Sequence, residues 1–309
     1  MIIARNICDI APSICELSEL DVLCVTGSDA EKFLQSQLTS DVNKLDNLSW
    51  QRSCWCSPEG RVLSIIRLIR HTRTHYWLIV PSIESTKIAN RLTRFVLRAN
   101  VKITTLNAND YRVIGTIGQE IFESLPQLAT TSSDDFISSG AGLFWLTESS
   151  RPKRAIAIGP NKTVHTVFEE LTKIAVQTNY DSWAHADILA GVPEIKGELV
   201  EQFLPQMLNL DLTGSIDFEK GCYPGQEIIA RTKYLGRIKR RTMRVYSKSK
   251  LKPSDTITSH ESKVGTVLVS VPNERHVHVG LAVVSLAALS LGDLRVRGNK
   301  IDTEYIVDE

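Results

Sequence analysis

Apolar positions along the chain fall into short blocks whose spacing changes as the chain proceeds. LDVLCVTG, residues 20–27, is a strand-like apolar run that stops at Gly27. The next block, SDAEKFLQSQLTSDV, has helical spacing and opens with Ser28 and Glu31 at the separation of a capping box. Together they predict a strand running into a helix. WQRSCWCSP and RVLSIIRLI follow as two further strands divided by the turn residues Pro58, Glu59 and Gly60, and THYWLIVP leads into the helix IESTKIANRLTRFVLR. The predicted order is β-α-β-β-β-α.

From Asp110 a similar order returns: strand YRVIGTIG, helix EIFESLPQL, the turn-rich stretch TTSSDD, strands GLFWLTE and RAIAIGP, and helix TVHTVFEELTKIA. The two runs share pattern rather than residues. They predict two related α+β halves, near 17–100 and 110–177, within one large domain of residues 1–240. Beyond that the blocks become short and alternating (MRVYS, KVGTVLVSV, HVHVGLAVV, DLRVRG) and are parted by Gly, Pro, Asn and Asp, which predicts a small antiparallel sheet or barrel over 241–309.

A length of 309 residues exceeds what one core usually organises, in keeping with two domains. Thirty-six basic against thirty-five acidic residues leave a net charge of +1, which excludes a surface that is a nucleic-acid footprint throughout and makes any anion site local. The N-terminal stretch reads as neither a secretory nor an organelle address. The longest uncharged run, Val279 to Leu291, is shorter than a bilayer-spanning helix. The expectation is a cytoplasmic protein with no membrane contact.

Cys8, Cys15, Cys24, Cys54, Cys56 and Cys222 are too irregularly spaced for a disulfide framework and are expected to be reduced thiols. Cys54 and Cys56 would share one face of a strand and His276 and His278 another, but neither pair has a second ligand pair nearby, so no metal site is expected. Cys222 is different. Pro224 and Gly225 mark a tight turn after it, which favours an exposed thiol, while Lys220, Arg231 and Lys233 place positive charge nearby in sequence, a setting that favours thiolate. Burial as a small core side chain is the alternative. EIIARTKYL beyond it has strand or short-helix character. Arg231 to Arg244 holds seven basic residues and no acid, suited to phosphates or carboxylates, or else to the wet face of a strand. Tyr234 is its single aromatic, so no stacking platform for single-stranded RNA is indicated, and no GxGxxG or P-loop cradle is present.

KGCYPGQE at 220–227 resembles the K-G-C-Y-x-G-Q-E signature of the YgfZ family of folate-binding proteins, relatives of the T-protein aminomethyltransferase of glycine cleavage. The resemblance extends through QFLPQMLNLDLTGSIDFEKGCYPGQEIIARTKYLGRIKRR, through VTGSDAEKFLQSQLTSDV with Gln37, Thr39 and Asp41, and through SPEGRVLSIIRL. It implies a folate-binding domain of two intertwined, ferredoxin-like α+β halves with the signature loop at 217–241, followed by a small β-barrel. It also implies that Cys222 is the functional thiol, with Lys220, Gly221, Tyr223, Gly225, Gln226 and Glu227 shaping its loop. Trp183, just before the turn Gly191, Val192 and Pro193, is implied as a folate-site aromatic whose indole would stack on the pterin, with Gln37 and Arg231 as further folate-binding candidates. Leu189 stands where the family often has an acid, and a second family tryptophan near the first strand is absent.

The function so implied is that of a folate-dependent accessory factor for iron-sulfur enzymes that methylthiolate tRNA, or for cluster carriers, with the basic run 231–244 a possible tRNA contact. The folate species would be tetrahydrofolate or a derivative. A tetrahydrofolate-dependent aminomethyl transferase and a plain tRNA-binding module are the alternatives. The first needs a positioned acid or base at the folate nitrogen, and near-neutral charge counts against the second.

Overall fold

The computed structural model describes residues 11–129, 136–138, 140–148, 150–272 and 278–306. Cys8, the TTSSDD stretch and His276 lie outside them. Strand β1 (Ser13–Glu16) precedes β2 (Leu20–Thr26), α1 (Ala30–Gln37), β3 (Ser49–Cys56), β4 (Val62–Thr72), β5 (His75–Pro81), α2 (Ser82–Thr93) and β6 (Lys102–Thr105). A five-stranded antiparallel sheet forms in the order β3-β4-β5-β2-β6. Helix α1 buries Ala30, Phe33, Leu34 and Gln37, spaced as one helical face, and its apolar members join the core under this sheet.

The predicted capping box does not form. Helix α1 starts at Ala30, and the residues before it are engaged by Asn100: its backbone N–H donates to the Asp29 carboxylate at 2.7 Å and its side-chain amide to Ser28 Oγ at 3.1 Å. The close approach needs Gly27, because a Cβ there would lie 1.9 Å from the Asn100 carbonyl oxygen. A tertiary contact thus displaces the local cap.

The second half runs through β7 (Tyr111–Ile117), α3 (Gln119–Ser124), α4 (Pro126–Ala129), β8 (Phe136–Ser138), β9 (Phe144–Glu148), β10 (Arg154–Pro160), α5 (Asn161–Leu171) and β11 (Val176–Thr178). Its sheet order is β11-β1-β7-β10-β9-β8. The N-terminal strand therefore lies inside the second sheet, parallel to β11 and antiparallel to β7, which intertwines the halves.

Helix α6 (Tyr180–Leu189) carries apolar residues on two sides because it is covered from two sides. Trp183 and Ala186 pack with residues of both sheets, whereas Ala184 and Ile188 pack with residues of the C-terminal barrel. After α7 (Gln226–Tyr234), strands β12 (Arg240–Ser247), β13 (Thr256–Ser259), β14 (Ser262–Pro272), β15 (His278–Ser285), β16 (Arg295–Val296) and β17 (Asn299–Glu304), with α8 (Leu286–Leu289) between β15 and β16, close a barrel in the order β12-β15-β14-β13-β16-β17. In β15, Ala282 and Val284 belong to one core with Met243 and Val245, while Leu281 and Val283 belong to the core shared with α6. Burial on both faces explains its unbroken apolar sequence. Among the described residues no helix is long and apolar enough to cross a membrane.

Candidate functional site

The loop that carries Cys222 is built by residues distant in sequence. Thr39, just past α1, accepts from the Asp217 N–H through its carbonyl (2.9 Å) and donates from its hydroxyl to the Ser215 carbonyl (2.7 Å). The Asp217 carboxylate accepts from the backbone N–H groups of Glu219 and Lys220 and from the Lys44 ammonium, the last at 2.6 Å. Lys220 then turns inward. Its ammonium donates to the carbonyls of Gln35 (2.7 Å), Leu38 (2.6 Å) and Ser40 (2.9 Å), at the carbonyl end of α1 where the helix dipole favours a cation. Burial lowers its pKa to about 8.

Tyr223 is buried on Cys54, Cys56 and Val62, and its hydroxyl pKa is raised by that burial. Gly225 sits at φ +79°, and a Cβ there would lie 2.5 Å from Gly60 Cα and from the Ser57 carbonyl oxygen, so the turn of SPEG is its seat. Gln226 opens α7: its N–H donates to the Tyr223 carbonyl and its side-chain amide to the Lys220 carbonyl, each at 3.2 Å. Both bonds bracket Cys222, which is exposed. Glu227 is also exposed, in the first turn of α7. An open cleft of about 400 Å³, lined in part by Asp41, Lys44, Asp217, Phe218 and Lys233, borders the same loop.

The sequence placed Lys220 beside the thiol, whereas its charge lies beneath the loop, bound to three carbonyls. Of the basic run, Arg241 pairs with Asp211 (2.6 Å) and Arg244 is buried on the Ile188 and Leu189 carbonyls and on Glu304 (2.7 Å). Leu189 thus contributes its backbone carbonyl. Lys233 lies 3.7 Å from the centre of the Phe218 ring. Arg231, Arg237, Lys239 and Arg240 are exposed.

Between the first sheet and helix α6 with the turn that follows it lies a pocket of about 40 Å³ with apolar walls (Leu20, Ile65, Ile79, Val192) and polar groups from Arg52, Arg67, Tyr180, Asp187 and Glu194. The Glu148 carboxylate receives Arg67 at 2.7 Å, Arg52 at 3.2 Å and Arg154, and Asp187 receives Arg154 at 3.1 Å and Arg67 at 3.3 Å. Burial alone would raise the Glu148 pKa, but the Arg154, Arg67 and Arg52 guanidiniums overcome it and hold the carboxyl well below the usual range. At Asp187 burial prevails and the pKa is raised. Arg52 and Arg67 belong to the first sheet and Glu148 and Arg154 to the second, so the cluster bolts the halves together. The sequence reading missed it. The available signal was arginine inside apolar strands, as in SIIRLIR, since a buried charge requires a partner.

Trp183 is fully buried: a Cβ on Gly115 would meet its ring at 2.5 Å, and the Arg154 guanidinium lies 5.7 Å from its centre. Neither Trp183, Gln37 nor Arg231 lines this pocket; Gln37 is buried at the end of α1 and Arg231 is exposed on α7. Buried donors without a protein partner nevertheless gather around the cluster, at Arg52 Nε, Arg154 Nε and Trp183 Nε1.

The remaining described cysteines set Cys222 apart. Cys15, Cys54 and Cys56 are buried and Cys24 is partly covered, while Cys222 is exposed. Burial pushes the Cys15 thiol up to about 12 and raises Cys54 and Cys24 as well.

Residues 8–139 match the GCVT N-terminal domain. The fold as a whole is similar to that of glycine cleavage system aminomethyltransferase T from Bartonella henselae, with a TM-score of 0.79 over 96% of this chain and 86% of that one, at 13% identity. Heterotetrameric sarcosine oxidase from Corynebacterium sp. U-96 matches at a TM-score of 0.37 and 9% identity, over 53% of this chain and 86% of that one.

Proposed function

We propose that this chain is a folate-binding accessory protein of the YgfZ kind, which supports iron-sulfur enzymes that modify tRNA through the thiol of Cys222. The observation that carries the proposal is the contrast between one exposed cysteine and the rigid device that presents it: Lys220 on three carbonyls below, Tyr223 in the core and Gly225 on Gly60. A thiolate at such a site ligates iron transiently or exchanges with a disulfide. One cysteine cannot complete a cluster, which usually takes about four protein ligands, so a partner supplies the others.

The residues around the central pocket fit a folate by their chemistry. The orphaned Nε donor of Arg52 suits an acceptor of a pterin, and Asp187 and Tyr180 suit its polar edge, between apolar walls. The free volume of about 40 Å³ is small for a bicyclic ring, so binding requires lining side chains to move. When bound, a reduced folate supplies a one-carbon carrier. This chain's own part is to bind and orient it, with Arg67 and Asp187 holding the polar edge and the walls excluding water.

Two measurements test the proposal. Cells lacking the protein should lose most of their methylthiolated tRNA nucleosides and regain them with the wild-type gene; unchanged levels would remove the tRNA link. Tetrahydrofolate should quench the tryptophan fluorescence of the purified chain saturably, and Asp187→Asn should weaken that binding by about tenfold, the scale of a lost charged hydrogen bond. The shared fold also favours a second activity, aminomethyl transfer to tetrahydrofolate, which a glycine-cleavage assay with the purified chain detects directly.

A further inference from the structure

The face of α7 that looks away from the core, with the chain that follows it, is unlike the rest of the surface. Ile228 (39% exposed), Tyr234 (64%) and Leu235 (84%) leave apolar carbon in water within one short helix and its end. Ile228, Arg231 and Leu235 are spaced as one helical stripe. Around them stand five exposed cations, Arg231, Lys233, Arg237, Lys239 and Arg240, with Glu227 the one acid between 226 and 240. In a chain whose net charge is +1 this is a local field. The surface is continuous with Cys222, because the first residue of α7 is hydrogen-bonded to the carbonyls of Lys220 and Tyr223 on either side of it.

We propose that residues 226–240 form a docking surface for a protein whose complementary face is acidic around an apolar centre, and that this protein brings its reactive group to Cys222. The inference rests on Cys222 being a working thiol. Apolar anchors inside a charged rim are the anatomy of a protein interface. RNA fits it less well. The aliphatic side chains of Ile228 and Leu235 offer no base-stacking plane, and the ring of Tyr234 is packed edge-on to Phe218 at 6.3 Å, with the Lys233 ammonium 5.4 Å from its centre. The cations steer and orient the acidic partner, and Leu235 and Ile228 seat it.

The test places a photoreactive benzoylphenylalanine at position 235 of the full chain in cells, with position 97 as the control, since Leu97 is 88% exposed after α2 and is not part of residues 226–240. The expected result is a cross-linked protein at 235 and not at 97, resistant to ribonuclease, with the linked peptide mapped by mass spectrometry to an acidic surface. Arg237→Glu, Lys239→Glu and Arg240→Glu together should lower its yield by more than about tenfold, because each reversal sets like charges against one another. Tyr234→Ser, a surface change, should lower it as well. Equal yields at the two positions, a ribonuclease-sensitive adduct, or an adduct indifferent to charge reversal would overturn the proposal. Should the charge-dependent adduct form while Cys222→Ala proves fully functional, the docking surface stands and the thiol role falls.

Discussion

Lys220 and Cys222 stand two residues apart, one buried and the other exposed, and the first makes the second possible. Replacing Lys220 with Met keeps the length of the side chain but leaves the Gln35, Leu38 and Ser40 carbonyls without their donor. The loss of those bonds, offset by removal of a buried charge, should destabilise the fold by about 1–3 kcal/mol, read from the denaturant midpoint. An unchanged midpoint would mean that the loop holds without its pin. Thiol chemistry gives a second prediction at this scale: a neutral alkylating reagent should label Cys222 in the native protein far faster than Cys15, Cys54 or Cys56, as peptide mapping would show. Labelling of Cys54 at a comparable rate would contradict the burial described. The exposure of Cys222 was legible in the sequence, because Pro224 and Gly225 announce a turn that keeps a thiol outside the core. The direction of Lys220 was not, since its acceptors lie some 180 residues away in the chain.

At the scale of elements, strands and helices with a long apolar period were legible, and the short strands β6, β11, β13 and β17 were not, because they owe their form to their neighbours. The helix α7 was ambiguous in sequence and is fixed by Gly225, Gln226 and the seat on Gly60. Strands β4 and β5 and the second sheet meet in an aromatic cluster that makes a pH prediction. His71 packs on His75 (4.7 Å between ring centres), Trp77 (4.1 Å), Phe136 and Phe144, and burial, with the His75 charge second, lowers its pKa to about 4. The native state resists a proton that the unfolded chain accepts near the ordinary histidine value of about 6.5. Between those values the unfolded state binds more protons, so stability falls as pH drops from about 6.5 to about 4. Thermal unfolding of wild type should show this loss, and His71→Phe should show less of it. An identical pH dependence in the two proteins would contradict the assignment to His71.

The whole molecule is two intertwined α+β halves joined by a buried charge cluster, with α6 and a closed barrel packed behind them. Glu148→Ala leaves Arg52, Arg67 and Arg154 without their shared carboxylate and should cost about 3–5 kcal/mol, the scale of a broken buried ion pair; a change below about 1 kcal/mol would make the cluster a minor part of the inter-half contact. At this scale the sequence showed the repeat and the barrel but not the cluster, because its members are single residues on β3, β4, β9, β10 and α6 that only folding collects. What the architecture serves, on the function proposed above, is the presentation of the Cys222 thiol on a loop pinned to the first half. The most direct test is the level of methylthiolated nucleosides in tRNA from cells lacking the protein and supplied with either wild type or Cys222→Ala at equal abundance. Restoration by wild type and failure of the alanine variant is the predicted result. Equal restoration by both would contradict the account and make Cys222 dispensable to whatever this fold does.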